Sequence, residues 1–408
     1  TVDCGTISFE AIDHANNNKT SVIVLDHHQS EIKLPNAHAI INPNRLDCNS
    51  KLNYLCATGV TFLFLVSVNS TLKEKSWYKK NKIPVPNLMN YLDLVCLGTV
   101  CDVVPLINFN RAIVKQGLKI IKKRTNLGIK TLFDLTNFQS TPNSYTVGYL
   151  IGPRINAGGR VGLSSHGSEL LLTKDSIKAQ KVAKELEIYN NKRQELQSKL
   201  LDIVEKEALK EMSNPTIILY GNDWHEGIIG ILASKIKDKY NKPTILISLD
   251  GNTGKGSARS IFGFDIGATL ISALKQDIII KGGGHKMAGG FTIDENKIVK
   301  FKTFVNDQFK KANKSKSLTN QILVDAIISS SALNIEFYEK LNQLSPYGPG
   351  NSEPKFLIEN VKVVNTKKVG KSHLKVILIS KNNSVLLDFF PSDTSRGETI
   401  SAELVSPL

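Results

Sequence analysis

The sequence predicts two α/β units joined by one long helix and followed by an all-β module. Three observations predict it. Short apolar runs alternate with helical periodicity before residue 175 and again over residues 212–312. Between them, residues 176–211 form a polar helical pattern with neither Gly nor Pro. Beyond residue 318 the pattern changes to short strands separated by turn residues.

In the first unit, residues 1–175, a buried strand is expected at 21–25 (SVIVL), ending at Asp26. One helix is expected at 56–68 and another at about 86–97, with a charged solvated loop at 73–82 (KEKSWYKKNK). This alternation favours a mainly parallel sheet. The connecting helix, 176–211, offers a narrow apolar stripe of Leu186, Ile188, Leu196, Leu200 and Ile203. In the second unit, 212–312, strands are expected at 217–220 and 244–248 around a helix at 228–240. Gly-rich turns and a closing strand near 290–293 follow. Residues 310–316 (KKANKSK) read as a basic linker. Strands at 322–328, 355–364, 373–380 and 384–390 then suggest a small Greek-key barrel, such as an OB-fold, over 318–408.

Composition narrows the function. Lys and Arg number 52 against 37 Asp and Glu, a formal balance of +15 that favours a polyanionic partner, nucleic acid first. The five cysteines are odd in number and contain no CxxC. That argues against a disulfide framework or structural zinc and for a reducing cytoplasm. No apolar run is long enough to span a bilayer, so no membrane role is expected. The chain opens at Thr1 without Met, and its natural N-terminus is expected upstream.

Candidate chemistry gathers at acidic element ends. Asp26-His27-His28 closes a buried strand, where α/β sheets bind ligands. Asp3 and Asp102 each follow apolar residues beside Gly or Pro, at what read as two further strand ends. Carboxylates and imidazole converging on one sheet edge suit Mn²⁺ or a related divalent ion, and could hold two. At 152–160 (GPRINAGGR) small residues let backbone approach a ligand closely, and Arg154 and Arg160 offer bidentate phosphate contacts; the alternative is a Gly-rich loop with surface arginines. Gly-rich turns at 254–260 and 282–290 carry Ser257, Arg259 and His285. Trp224-His225-Glu226-Gly227 opens a helix, with a structural role favoured.

The set VDCG (2–5), VLDHH (24–28), LGTVCDVVPL (97–106), GPRINAGGR (152–160), GSARS (256–260) and GGGHKMAGGF (282–291) resembles the DHH phosphoesterases. Within them it is most similar to the RecJ branch, and the turn YGPGN (347–351) matches that branch's entry into an OB-fold. The resemblance implies a DHH-type parallel-sheet domain, a DHH-associated substrate-binding domain and an OB-fold. It implies a metal-dependent 5′→3′ exonuclease that hydrolyses single-stranded DNA in repair and recombination, with two Mn²⁺ (or Mg²⁺) ions. By the same resemblance Asp3 bridges the two ions, and His27 and Asp102 are ligands of one. Asp26 supports the paired histidines, and His28 contacts the scissile phosphate. Arg154 or Arg160, with Ser257 and Arg259, holds substrate phosphates, and His285 closes over the substrate. The implied partners are single-stranded DNA and, beyond it, a single-strand-binding protein or a helicase. A self-contained enzyme of this kind is expected to act as a monomer.

The family opens with a DxD-type motif, and these 408 residues contain none in that role. It is expected upstream of Thr1, so the chain as given is expected to bind metal poorly and to be nearly inactive. Two rival readings are a phosphodiesterase for oligonucleotides or cyclic dinucleotides and a non-catalytic nucleic-acid-binding protein. The C-terminal β-module argues against the first. Asp26, His27, His28 and Asp102 together argue against the second.

Overall fold

The computed structural model describes residues 1–312, 323–369, 373–380 and 383–389. It divides into two compact units. The first holds Thr1–Ser317 with Gly348–Asn351, and the second holds Leu318–Tyr347 with Ser352–Leu408.

The first unit begins with helix α1 (Phe9–Asn17) and parallel strands β1 (Ile23–Leu25) and β2 (Ala39–Ile41), to which Val2 adds a parallel bridge at Leu25. Helices follow: α2 (Ala57–Glu74), α3 (Trp77–Lys80), α4 (Leu92–Cys101), α5 (Asn108–Lys122) and α6 (Leu127–Leu135). Two expectations fail here. Helix α2 runs into the supposed loop at 73–82, which also holds α3. Asp102 does not end a strand; it is the C-cap of α4. The run before it is apolar on every side because α4 is buried all round, and periodicity cannot distinguish that from a buried strand.

A π-helical turn (Thr146–Ile151) leads into α7 (Gly152–Val161) and α8 (Ser165–Leu172). The GPRINAGGR run is helix. Its glycines serve close packing: a side chain at Gly152 would strike the Cys101 sulfur, and one at Gly158 the Leu163 carbonyl.

Helix α9 (Ser176–Lys210) starts at Asp175, whose carboxylate accepts the Ile177 and Lys178 amides at 2.8 and 3.3 Å. Such a cap is worth about 1 kcal/mol. The helix serves two cores. Ala179, Val182, Ala183 and Leu186 pack with Leu132 and Phe133, whereas Val204 and Ala208 pack with Ile217 and Leu232. The expected stripe is only partly right, since Ile188 and Ile203 are exposed.

Past α9 lies a five-stranded mixed sheet ordered β3-β4-β5-β7-β6. Its strands are β3 (Ile217–Asn222), β4 (Thr244–Asp250), β5 (Thr253–Arg259), β6 (Lys281–His285) and β7 (Ala288–Asp294). Only β3 and β4 run parallel. Helices α10 (Glu226–Tyr240), α11 (Ile266–Lys275) and α12 (Ile298–Ala312) complete it. The glycine runs expected to be turns are strands, and their missing side chains make room for one ring. A Cβ on Gly256 would lie 2.1 Å from the Phe291 ring, and one on Gly282 would lie 2.7 Å from Phe291 Cβ.

The second unit pairs β8 (Ala326–Ile327) with β9 (Phe356–Leu357) and carries helix α13 (Ile335–Asn342). Strands β10 (Val361–Val369), β11 (His373–Ser380) and β12 (Asn383–Phe389) form an antiparallel meander. Closure of the expected barrel through 390–408, and most of the basic linker, lie outside the described residues. No helix among the described residues is long and apolar enough to cross a membrane. All five cysteines are free thiols.

Candidate metal centre

Three backbone segments end together. The Asp3 amide donates to Leu25 O at 2.9 Å, and the Asp26 amide donates to Ile41 O at 3.1 Å. These bonds hold Asp3 and the Asp26-His27-His28 triplet at one edge of the small parallel sheet, where α4 delivers Asp102. Both outlying carboxylates sit at unusual backbone: Asp3 has φ 60°, and Val103, directly after Asp102, has φ 59°. For a β-branched residue such as Val103 this conformation costs about 1–3 kcal/mol and clusters at functional sites.

His27 is the hub. Its Nε2 lies 3.2 Å from Asp3 Oδ1 and 3.6 Å from Asp102 Oδ2. Asp3, His27 and His28 each offer a ligand atom, and these lie within 4.8 Å of one another. Burial pushes the Asp102 carboxyl above its ordinary range, His27 opposes this, and the Asp3 charge adds to it. Carboxylates crowded round an imidazole in this way favour a cation.

Asp26 does not join the donors. It is buried, and it organises them. One oxygen accepts the His27 amide at 2.8 Å and His28 Nδ1 at 2.7 Å; the other accepts the Thr6 amide at 3.0 Å. His28 therefore presents Nε2 outward. Thr6, Asn42 and Asn44, which sequence reasoning missed, lock the frame. Asn42 donates to Thr6 Oγ1 and His28 O at 2.8 Å each, and Asn44 donates to His27 O at 2.5 Å. The readable signal was INPN (41–44), amides at a strand end beside Pro.

Burial alone would raise the Asp26 pKa, but hydrogen bonds from His28, Thr6 and His27 hold it far below the ordinary carboxylate range. The Asp26 bond raises His28 above the ordinary imidazole value. A depressed carboxylate stabilises the fold above its unfolded pKa, and that contribution is lost as pH falls through the folded value. A raised histidine stabilises below its unfolded pKa, and the contribution is lost as pH rises through the folded value. Both are fully present between about pH 4 and 6.5. Urea unfolding of metal-free protein across pH should show this plateau, and Asp26→Asn should flatten it.

From the second sheet, His285 stacks on His28 with ring centroids 5.5 Å apart at 20°. Helix α11 permits this approach, because a Cβ at Gly267 would lie 2.8 Å from the His285 carbonyl oxygen. Desolvation and the charges of His28 and His27 lower the His285 pKa.

The other candidates form separate groups. Arg160 Nη1 donates to Gly227 O at 2.9 Å, at the start of α10. Arg259 donates to Ser257 Oγ at 3.1 Å, and both face Gly230 one turn along α10. A Cβ at Gly227 would meet Arg160 O at 2.6 Å. Gly227→Val should force α7 and α10 apart and destabilise the protein by about 1–3 kcal/mol, read as a lower urea midpoint. Arg154 joins neither group. Its Nε and Nη2 meet Glu187 of α9 at 2.6 and 3.1 Å and Nη1 donates to Leu150 O, so its fork is already engaged. Trp224 packs against Gly221 in a core and His225 caps α10, in line with the structural role expected there.

Comparison with known proteins places the chain's domains. Residues 1–99 match the DHH family N-terminal domain, 213–311 the DHHA1 domain and 324–399 the RecJ OB domain. The chain is 35% identical over 398 residues to the single-stranded-DNA-specific exonuclease RecJ of Salmonella typhimurium, covering 95% of this chain and 69% of that one. The chain belongs to the RecJ family. It is also 36% identical over 404 residues to RecJ of Haemophilus influenzae, with the same coverage. The crystal structure of Thermus thermophilus RecJ with Mn²⁺ superposes with a TM-score of 0.78 at 29% identity, covering 96% of this chain and 56% of that one. Its Mg²⁺ form gives a TM-score of 0.71. The chain thus spans about two thirds of these curated RecJ relatives and just over half of the solved Thermus protein.

Proposed function

We propose that this RecJ-family protein is a metal-dependent exonuclease that hydrolyses phosphodiester bonds of single-stranded DNA from the 5′ end, in repair and recombination. The convergence of Asp3 and Asp102 on His27 Nε2, at 3.2 and 3.6 Å, carries this reading. That donor set fits a hard divalent ion, Mn²⁺ or Mg²⁺, and two ions are proposed for the working enzyme, which Asp3, His27 and Asp102 would help to hold. A divalent ion supplies Lewis acidity towards phosphoryl oxygens and acidifies bound water.

The chain's own groups do the rest. Asp26 accepts from His28 Nδ1, and the protonated His28 ring would donate from Nε2 to a phosphate oxygen. His285 packs on that ring from the second domain. Arg160, Ser257 and Arg259 hold backbone phosphate, while Arg154 does so only by releasing Glu187. The proposed division is a phosphoesterase domain over 1–175, a connecting helix over 176–211, a substrate-binding domain over 212–312 and a strand-binding OB domain over 318–408. Action as a cytoplasmic monomer, alongside a single-strand-binding protein or a helicase, completes the proposal.

The test is digestion of 5′-labelled single-stranded and duplex DNA by the full-length protein, with Mn²⁺ and with EDTA. Mononucleotide release from the single strand alone, abolished by EDTA, is the expected result. Tight binding without release would favour a binding protein. Cleavage confined to dinucleotides would favour a small-substrate phosphodiesterase.

A further inference from the structure

Arg160 lies near enough to both Arg193 and Arg259 for its charge to act on each. Arg160 lies at the end of α7, Arg259 ends β5 and Arg193 lies midway along α9. The turns flanking Arg193 explain its place. Before it, the Tyr189 ring fills the space a side chain at Gly162 would take, and Leu186 lies beside Gly158. After it, Leu196 and Leu200 pack in one core with Val161. Arg193 is thereby held along the end of α7, next to Arg160. Arg160 reaches α10 at Gly227, and α10 abuts Arg259 at Gly230.

These charges are not balanced. Arg154 has Glu187, but among the described residues no ion pair joins Arg160, Arg193 or Arg259 to a carboxylate. Arg193 donates to the neutral amides of Asn190 and Gln197 at 2.9 and 3.1 Å, and its buried Nε has no partner. Desolvation lowers the pKa of all three, and the Arg160 charge lowers Arg193 and Arg259 further. Guanidinium does not give up its proton at any working pH, so the repulsion persists until an anion relieves it.

We propose that Arg193 is a phosphate-binding residue, which with Arg160 and Arg259 receives a phosphate of the single strand, so that the connecting helix itself contacts substrate. The inference rests on the nucleic-acid reading above. A phosphate seated there would touch the first domain, the helix and the second domain at once, and so would favour one setting of the two domains.

The test is fluorescence-anisotropy binding of oligothymidylate in EDTA over a salt series, with and without a 5′-phosphate. The proteins are the wild type, Arg193→Gln and Arg193→Lys, each checked for its urea midpoint. Arg193→Gln should weaken binding about tenfold and reduce the slope of log K against log salt by roughly 0.7, the share of one single-strand phosphate. Arg193→Lys should keep the slope and bind at intermediate strength. A loss confined to 5′-phosphorylated strands would assign the contact to the terminal phosphate, and a loss on both strands to the backbone. An unchanged affinity and slope in Arg193→Gln would overturn the inference, as would a lower urea midpoint with an unchanged slope, the mark of a helix strut. If the wild type binds no strand, the nucleic-acid reading fails first, and this inference falls with it.

Discussion

Asp26→Ala should lower both stability and activity. The carboxylate is 1% exposed and accepts from the Thr6 and His27 amides and from His28 Nδ1. Removing it strands the Thr6, His27 and His28 amides and the His28 ring, for a loss of roughly 3–5 kcal/mol. Urea unfolding measures that loss directly. Asp26→Asn keeps the volume and one acceptor, so it separates folding from chemistry. Its fold should survive, while Mn²⁺-dependent hydrolysis falls about 10–100-fold, the usual effect of removing a group that orients metal-site ligands. Equal rates for Asp26→Asn and wild type would show that the bond to His28 Nδ1 has no part in the reaction.

His27→Ala should act on chemistry with little effect on folding. Its side chain is partly accessible, and its Nε2 faces two carboxylates, not core packing. Without it Asp3 and Asp102 face each other unscreened and the nitrogen donor is gone. Metal-assisted catalysis supplies several kcal/mol to the transition state, so hydrolysis should fall by roughly a thousandfold or more. Steady-state digestion of a single strand at saturating Mn²⁺ checks this, with the urea midpoint as the folding control.

Legibility in the sequence followed the kind of signal. Asp26-His27-His28 was readable because a short β-branched run ends abruptly in three metal-competent side chains. Helix α9 was readable because 35 residues without Gly or Pro admit little else. The glycine runs misled, since glycine's local preference is for turns. Here it answers to the Phe291 ring and to close helix packing, which are tertiary facts. Asp102 was placed correctly beside the site but on the wrong element, because α4 is buried all round and carries no helical period. Asn42 and Asn44 were missed because their work is to hold the carbonyls of His28 and His27, and nothing local marks an amide for that. Arg193 was invisible for a related reason. On a polar helix one more cation looks like solvated surface, and only the approach of α7 and α10 leaves it without a counter-charge.

The central claim is that Asp3, His27 and Asp102 hold the divalent ion, while His285 only packs against the group beside it. Electron paramagnetic resonance titration with Mn²⁺ tests it most directly, with the full-length wild type, His27→Ala and His285→Ala compared at equal concentration. The predicted result is Mn²⁺ binding that is lost in His27→Ala and kept in His285→Ala. Wild-type Mn²⁺ affinity in His27→Ala would contradict the account and place the metal elsewhere.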